Sequence, residues 1–446
     1  MIELLRAAAA AQAEHLAIAT PHRRLTYCEL LADAEHAAAG LRERGIGRFA
    51  LSSSDPATTW ALLAAASLAG AEACVYPPAV TDDEVGLFRE KFEHEVLVSD
   101  RDVPAAVSAA ELLKCETRDT GAVPDGPRPV LILTSGTSGP AKGAQHDWTR
   151  LLRMTDKVAP TPEHRWLLAY APNQFGGFQI LLHVAAAGAT LVAGESFRPR
   201  DGLAAMRERA VTHASGTPTF WRFLLAELRA DGGPVPELHQ ITLSGEAVPE
   251  ILLTQLKASF PRARVSQIFG ATEMGQTITV RDGRPGLPVS FLEEGGDVVF
   301  RIVEGELQVR TRAAMRGYYG QDGDDPDGWR ATGDLVEVSG DRILFRGRKT
   351  EVINVGGVKV HPLPIEERVS QVPGVALAHA FGRANAMVGQ IVALEVVPAP
   401  GADEDDLRTA IRAACEDLPS AARPRSVKFV TGIHTPGNKI TRGSRP

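Results

Sequence analysis

A loop rich in glycine and hydroxyl groups, directly after a short apolar run, constrains this chain more than any other feature. The run Pro129-Val-Leu-Ile-Leu133 is short, branched and bounded by turn residues, which predicts a buried β-strand. The next ten residues, Thr134-Ser-Gly-Thr-Ser-Gly-Pro-Ala-Lys-Gly143, combine three glycines, four hydroxyls and one lysine. Such a backbone can direct N–H and O–H donors at an anion, so the loop has the chemistry of a phosphate-binding site.

The spacing of this loop differs from that of the Walker A motif, which requires Gly-x4-Gly-Lys-Ser/Thr. Counting from Gly136, Ala141 stands where the second glycine belongs and Gly143 stands where the hydroxyl belongs. A Walker-type kinase is therefore disfavoured. Alone, a stretch rich in glycine and serine is typical of a flexible surface linker, so the phosphate hypothesis depends on what accompanies the loop.

Four further motifs follow the loop: Gln267-Ile-Phe-Gly-Ala-Thr-Glu273, Trp329-Arg-Ala-Thr-Gly-Asp334, the segment from Gly347-Arg348 to Pro362, and Pro436-Gly-Asn-Lys439-Ile-Thr-Arg442. In this order they resemble the motifs of the adenylate-forming superfamily of acyl-CoA synthetases, peptide-synthetase adenylation domains and luciferases. In the segment Gln267–Glu273, Phe269 replaces the tyrosine that is usual in the family. Leu25-Thr-Tyr-Cys-Glu-Leu30 also resembles the opening of that family, so the likeness covers nearly the whole chain.

The resemblance implies a set of residues that bind ATP. The ATP phosphates would be held by the loop residues Thr134, Ser135, Gly136, Thr137, Ser138, Gly139 and Lys142. The remainder of the nucleotide would be bound by Gly245, Glu246, Ala247, Phe269, Gly270, Asp334 and Arg348. Of these, Phe269 would stack on adenine and Asp334 would accept both ribose hydroxyls.

The resemblance also implies the catalytic groups. Formation of an acyl adenylate brings a carboxylate to the α-phosphate of ATP, so cations must neutralise two approaching anions. Lys439 would bridge the substrate carboxylate and the phosphoryl oxygens. Thr272 would bond the α-phosphate, and Glu273 would be the carboxylate ligand of Mg²⁺, which commonly takes one or two carboxylates together with phosphate oxygens.

Further roles carried over from the family concern the acid, the acceptor and motion. The acid pocket is predicted from Gln174, Phe175, Gly177 and Phe220, the thiol tunnel from Gly356 and Gly357, and the hinge from Thr350. Two family features are missing: the usual His-x-x-Gly has no histidine near Gln174, and no aspartate follows Phe175. Because that Phe-Asp pair receives an α-ammonium group in amino-acid adenylation domains, an α-amino acid is not the expected substrate.

Composition excludes several other classes of protein. A chain of 446 residues exceeds the usual size of one core, so at least two domains are expected. A net charge of −7 argues against a nucleic-acid partner. The four cysteines are far apart, which suits reduced thiols in a cytoplasmic enzyme better than a disulfide frame or a zinc site. The longest apolar run, Ala61 to Ala71, is too short to span a membrane and predicts a buried helix.

Alternating helical and strand patterns predict an α/β fold. We expect a large layered α/β N-terminal domain, residues 1–348, joined by a hinge to a smaller mobile α+β C-terminal domain, residues 349–446. Helices are predicted at Leu30–Arg44, Thr149–Val158, 202–230, 249–259, 363–371 and 403–417. Strands are predicted at 240–245, 297–303, 306–310, 342–345, 351–360 and 390–397.

These observations predict an ATP- and Mg²⁺-dependent ligase that activates a small carboxylic acid, aromatic or short acyl, as acyl-AMP with release of pyrophosphate. The acyl group would then pass to the thiol of coenzyme A or to the phosphopantetheine of an acyl carrier protein. The alternative is a relative that uses an amine or another nitrogen acceptor, or one that has lost thiol transfer. The acceptor that turns over after pyrophosphate release distinguishes these possibilities.

Overall fold

The computed structural model describes residues 1–134, 141–292, 296–321, 328–433 and Lys439. The predicted phosphate-binding residues Ser135 to Gly139, and the neighbours of Lys439 in the last motif, lie outside the described residues. The α/β fold with a large and a small domain is confirmed. Among the described helices, none combines the length and the apolar character that crossing a membrane requires.

Among the described residues, the α-helices are α1 (Ile2–Gln12), α2 (Tyr27–Glu43), α3 (Pro56–Ala69), α4 (Asp82–Lys91), α5 (Ala109–Leu113), α6 (Trp148–Leu152), α7 (Phe175–Ala187), α8 (Pro199–Glu208), α9 (Pro218–Asp231), α10 (Glu250–Ser259), α11 (Pro362–Val369) and α12 (Glu404–Ala414). Short 3₁₀ turns occur at Arg153–Thr155, Val289–Leu292 and Lys349–Glu351.

The strands of the described residues are β1 (Leu16–Ala19), β2 (Arg24–Thr26), β3 (Arg48–Ser52), β4 (Glu72–Val75), β5 (Leu97–Ser99), β6 (Val107–Ser108), β7 (Pro129–Thr134), β8 (Lys142–Asp147), β9 (Arg165–Leu168), β10 (Thr190–Val192), β11 (His213–Gly216), β12 (Gln240–Ser244), β13 (Arg264–Ala271), β14 (Gly275–Val280), β15 (Leu287–Pro288), β16 (Val298–Val303), β17 (Glu306–Thr311), β18 (Gly317–Tyr318), β19 (Arg330–Ser339), β20 (Arg342–Arg348), β21 (Ile353–Val355), β22 (Val358–Val360), β23 (Val375–Asn385), β24 (Gly389–Pro398) and β25 (Ser426–Phe429).

Two mostly parallel sheets form the body of the large domain. One has the order β14-β13-β12-β11-β9-β10-β1-β2 and the other the order β18-β8-β7-β4-β3-β5-β6. A shared core joins them through apolar residues of α1, α2, α3 and α7. The predicted buried helix at Ala61–Ala71 is confirmed as part of α3, in which every residue from Pro56 to Leu68 is buried. Asp55 caps this helix and Gly70 ends it with φ +74°, a left-handed conformation that favours glycine.

Two smaller antiparallel arrangements follow in the chain. The sheet β15-β20-β19-β17-β16 ends at Arg348, and the sheet β22-β21-β24-β23, with β25 added in parallel to β24, begins at Ile353. Helices α11 and α12 pack on the latter through an apolar cluster. Its strand β23 also approaches α9 of the large domain, where Phe223 packs in a small cluster with Leu377, Val397, Val430 and Ile433.

Two helix predictions are wrong in extent. The stretch 202–230 is not one helix, because β11 (His213–Gly216) runs parallel to β9 and β12 in its middle. Thr217 then caps a new helix, α9, whose first residue is Pro218, so the second half is an independent element. The helix predicted over Thr149–Val158 ends at Leu152 and continues only as a 3₁₀ turn.

A group of aromatic rings gathers at the amino ends of the parallel strands, opposite the edge where the predicted site residues lie. The rings of His164 and His213 stack with centroids 3.8 Å apart, and Trp166 contacts His213 at 4.9 Å and His183 at 4.7 Å. Burial, followed by the repulsion of neighbouring imidazoles, lowers the pKa of His213 to about 3, and burial lowers that of His183 to about 4. The rings of His183 and His213 are therefore neutral in the folded protein near neutral pH.

We expect stability to fall between pH 7.5 and pH 5.5 because of this group. In the unfolded chain each imidazole has an ordinary pKa and becomes protonated as the pH falls below about 6.5, whereas in the folded protein it stays neutral. Protonation of the unfolded chain therefore favours unfolding. Each such ring contributes roughly 1.4 kcal/mol of lost stability by pH 5.5. Urea denaturation at several pH values measures this slope.

His213→Gln should reduce that pH slope, since it removes one buried ring. The matched control is His22→Gln, which removes an imidazole whose side chain is 80% exposed. An equal reduction in both variants would contradict the assignment to the buried group.

Candidate active site

The predicted phosphate loop is anchored by two antiparallel strands. Thr134 ends β7 and Lys142 begins β8, and the two residues are direct partners in the strand ladder. Leu131 of β7 lies so close to Gly143 of β8 that a Cβ on this glycine would approach the Leu131 Cδ1 to 2.9 Å. Glycine at 143 therefore lets the two strands pack closely at the base of the loop.

A second group of predicted residues follows β12, at the carboxyl end of the parallel sheet, where α/β folds commonly bind ligands. Gly245 has φ +86°, and Glu246 comes directly after it. The Glu246 carboxylate accepts hydrogen bonds from the Thr219 main-chain N–H at 3.0 Å and the Thr219 hydroxyl at 3.1 Å. Because Thr219 lies in the first turn of α9, the carboxylate also benefits from the positive end of the helix dipole.

The turn after β13 carries the predicted catalytic pair and is held by three different residues. His146 Nε2 donates to the Thr272 carbonyl at 2.7 Å, and the Met315 N–H donates to the Glu273 carbonyl at 3.0 Å. The Tyr318 hydroxyl donates to Glu273 Oε1 at 2.8 Å. Burial lowers the pKa of His146 to about 4, so its ring is neutral and keeps the proton that Nε2 donates.

Asp334 and Arg348 are brought together by the pairing of β19 with β20. They are direct partners in the ladder, and Arg348 Nε lies 2.9 Å from Asp334 Oδ1. Burial raises the pKa of the Asp334 carboxyl, while the guanidinium of Arg348 opposes that rise. Arg348 also donates to the Thr332 carbonyl at 3.2 Å, which fixes the arginine beside the Thr-Gly-Asp turn.

Lys439 completes the site from the small domain. Its side chain lies against Gly245, since a Cβ on that glycine would approach Lys439 Nζ to 2.9 Å. Burial lowers the pKa of the ammonium, whereas the carboxylates of Glu246, Glu273 and Asp334 act in the opposite direction and favour the charged form. The structure thus gathers Lys439 with four predicted site residues that are distant in sequence.

Other predicted residues lie among aromatic or apolar side chains. Phe269 stacks on Phe345 with ring centroids 5.3 Å apart, and its role with adenine stays a prediction. In the predicted acid pocket, Gln174 is the N-cap of α7 and Phe175 is its first residue. A Cβ on Gly177 would lie 2.3 Å from the Ala171 carbonyl oxygen, and Phe220 is buried in the core beside Gly216.

The predicted thiol and hinge residues lie in the small domain and at its junction with the large domain. Gly356 and Gly357 form the turn between β21 and β22 with φ +58° and +90°, left-handed values that favour glycine. The Gly357 N–H donates to Asn354 Oδ1 at 2.9 Å, and the turn packs beside Val388. Thr350 is exposed in the 3₁₀ turn Lys349–Glu351 between the last two sheets. Their functional roles are not decided by these positions.

Sequence reasoning missed three residues that hold the site: Thr219, His146 and Tyr318. His146 stacks on Phe175 with centroids 5.7 Å apart, so an imidazole from β8 lies beside the predicted acid pocket where the family histidine is missing. The segment Lys142–Asp147 has no apolar alternation that would mark His146 as a buried polar residue. No local pattern marks Tyr318 or Thr219.

The donor chemistry of the site fits a magnesium ion that is shared with a nucleotide. Within the described part of the chain, no cluster of three or more His, Cys, Asp or Glu side chains is arranged to hold a metal ion. Glu273 supplies a single carboxylate at the predicted position. A hard cation held by one carboxylate takes its other ligands from phosphate oxygens and water, which agrees with this geometry.

Gly245→Ala should weaken ATP binding at least tenfold, because its new Cβ would displace the ammonium of Lys439. Calorimetric titration with ATP in the presence of Mg²⁺ measures this loss. The matched control is Gly305→Ala, which has a similar φ of +79° but open space around its Cβ. Both variants share the backbone strain of about 1 kcal/mol; an equal effect on ATP binding would show that strain, and not contact with Lys439, is responsible.

Comparisons with known proteins identify the family of this chain. Residues 5–319 match the family of AMP-binding enzymes and residues 364–438 match the AMP-binding enzyme C-terminal domain. A feruloyl-CoA synthase of Amycolatopsis sp. is 26% identical over 76% of this chain and 75% of that protein. A fatty acid–[acyl-carrier-protein] ligase of Streptomyces coeruleorubidus is 28% identical over 81% of this chain and 75% of its own length.

Among solved structures, an anthranilate CoA ligase in complex with anthranoyl-AMP shares the fold. Its TM-score is 0.86 at 20% sequence identity, with 99% of this chain and 95% of that chain covered. The resemblance stated from the motifs is confirmed, since the family match spans most of the chain. This chain belongs to the family of AMP-binding enzymes.

Proposed function

We propose that this enzyme activates a small carboxylic acid with ATP, releasing pyrophosphate, and then transfers the acyl group to a thiol. The observation that carries this proposal is the position of Lys439 beside Gly245, among the carboxylates of Glu246, Glu273 and Asp334. A cation at the carboxyl ends of β12 and β13 lies where a bound carboxylate and the nucleotide phosphates would meet. The relatives named above are ligases of the same reaction type, which supports the proposal.

In the first half-reaction, an oxygen of the acid attacks the α-phosphorus and the bond to the pyrophosphate oxygen breaks. Lys439 orients the carboxylate and offsets the charge of both anions, while Lys142 neutralises the leaving pyrophosphate. Magnesium, when bound, supplies further positive charge to the phosphate oxygens, and Glu273 would hold it. Asp334 accepts the ribose hydroxyls, and Arg348 orients its carboxylate and opposes the rise of its pKa that burial causes.

In the second half-reaction, the thiol sulfur attacks the acyl carbon and AMP leaves. Coenzyme A is the acceptor that we propose, in agreement with the feruloyl-CoA synthase relative. A phosphopantetheine carried by an acyl carrier protein is the other thiol to test, since one relative is a ligase for such a carrier. The acid is proposed to be aromatic or short, because Phe175 and the His146 ring flank the start of α7 at the predicted pocket.

The first experiment measures pyrophosphate release over a panel of aromatic and short-chain acids, with coenzyme A, with a holo carrier protein, with hydroxylamine and with no acceptor. Lys439→Ala should reduce acyl adenylate formation by about a hundredfold or more, since it removes the cation that is proposed to lie between the two anions. Transfer from chemically supplied acyl-AMP to the thiol should be much less affected. Lys428→Ala, an exposed lysine on β25, is the matched control.

Equal loss of both half-reactions in Lys439→Ala would contradict the role of this lysine. Turnover with hydroxylamine or an amine but with neither thiol would replace the thiol acceptor by a nitrogen acceptor. No pyrophosphate release with any acid would contradict the proposed function.

Thr350 is the proposed hinge, and the proposed domain boundary after residue 348 lies at the same place. The change from one sheet to the next between Arg348 and Ile353 supports both. In the present arrangement Lys439 lies in the site, and the Gly356–Gly357 turn packs against its own domain beside Val388. Using these glycines for the thiol requires rotation of the small domain, which concentrates backbone change in a few connecting residues.

Thr350→Pro should restrict that rotation, because proline fixes φ near −65°. We expect adenylation to persist and thiol transfer to fall severalfold. Single-turnover assays of the two half-reactions measure the difference. The control is Thr350→Ala, which leaves φ free and should retain both rates. A proline placed at Ser339 would not serve as a control, because it would interrupt β19. Equal half-reaction rates in Thr350→Pro and in the unaltered enzyme would place the hinge elsewhere.

A further inference from the structure

Tyr318 contacts both Lys142 and Glu273, the two charged residues predicted to bind the phosphates and the magnesium ion. It lies on β18, directly opposite Ala144 of β8. Its hydroxyl donates to Glu273 Oε1 at 2.8 Å, and the Lys142 Nζ lies 4.9 Å from the centroid of its ring. One rigid side chain thus contacts the loop lysine through its face and the metal carboxylate through its hydroxyl.

We propose that Tyr318 is a positioning residue that holds Lys142 and Glu273 apart, each oriented for the magnesium complex of ATP. This inference rests on the proposed function, because it takes Lys142 as a phosphate cation and Glu273 as the magnesium carboxylate. Within the described residues, no ion pair joins the two side chains. If the ammonium of Lys142 and the carboxylate of Glu273 paired directly, each would partly neutralise the other's charge. Less charge would then be available to the nucleotide and to the magnesium ion.

The hydroxyl of Tyr318 acts on the carboxylate and not on the fold of the turn. The main chain of Glu273 is held separately by the Met315 N–H, and that of Thr272 is held by His146. Removing the hydroxyl therefore leaves these two main-chain bonds in place and removes the bond to the side chain of Glu273. A carboxylate has about four lone-pair sites, so the hydroxyl orients Glu273 and still leaves acceptor positions for a metal ion.

The ring of Tyr318 acts on Lys142 by a different interaction. A cation over the face of a tyrosine is attracted by the negative centre of the ring, and this attraction persists in phenylalanine. Tyr318→Phe and Tyr318→Leu thus separate the two contacts: the first removes the hydroxyl bond alone, and the second removes both. The neighbouring Tyr319 offers a matched control, since its hydroxyl bonds Glu93 at 2.6 Å and Arg48 at 3.1 Å, away from Glu273.

The experiment titrates the full chain with the non-cleavable analogue α,β-methylene-ATP, with Mg²⁺ and with EDTA, in a calorimeter. No acid is needed, so the result is independent of the identity of the substrate. We expect Mg²⁺ to strengthen binding to the unaltered chain, and Tyr318→Phe to reduce that strengthening about fivefold to tenfold without changing the affinity in EDTA. Tyr318→Leu should in addition weaken binding in EDTA, because Lys142 loses its support.

A double-mutant cycle with Glu273→Gln tests whether the hydroxyl acts through the carboxylate. Tyr318→Phe should add no further loss of magnesium dependence in the Glu273→Gln background. An unchanged magnesium effect in Tyr318→Phe, an equal change in Tyr319→Phe, or full additivity with Glu273→Gln would overturn the proposal. If the analogue binds as expected and no acid releases pyrophosphate, the proposed function fails while Tyr318 keeps its assigned role.

Discussion

The charge at the centre of this enzyme depends on each carboxylate near Lys439 having a second, fixed partner. Glu246 is bonded by Thr219 at the start of α9, Glu273 by Tyr318, and Asp334 by Arg348. A buried ammonium among free carboxylates would form a closed ion pair and would offer little charge to a substrate. The three carboxylates thus favour the charged form of Lys439 while each is also held by another residue.

Strand β8 is the common support of the two halves of this arrangement. Lys142 begins the strand, Ala144 pairs with Tyr318, and His146 reaches the turn that bears Glu273. Residues on a paired strand are held more precisely than residues on a free loop. The relative position of Lys142 and Glu273, the predicted phosphate lysine and metal carboxylate, is consequently set by a sheet.

The motifs predicted the family, the fold and the proximity of Lys439, Glu246 and Asp334, because they resemble segments of one family that would bind the same nucleotide. The support of the site could not be predicted in this way. The bond from His146 to Thr272 spans 126 positions and that from Tyr318 to Glu273 spans 45. Such contacts are created by the pairing of β8 with β18 and by the turn after β13, and no periodicity records them.

The helix prediction over 202–230 failed for a related reason. The segment 213–216 is short and consists of polar or small residues, so it has little apolar periodicity. They form β11 because β9 and β12 lie on either side and complete its hydrogen bonds. Pairing with neighbouring strands thus overrode the local helical pattern. In the sequence, the Thr217-Pro218 pair is the feature that indicates the start of a new helix.

The small apolar cluster around Phe223 has a consequence for temperature. It joins α9, whose first turn holds Glu246, to Leu377, Val397, Val430 and Ile433 of the small domain. The rotation proposed above, which would withdraw Lys439, would separate α9 from these residues and expose the cluster to water. Apolar contacts weaken on cooling, so cold should shift the equilibrium away from the arrangement seen here, independently of the chemical steps. With that rotation, the share of molecules with Lys439 in the site would depend on the assay temperature as well as on the bound substrate.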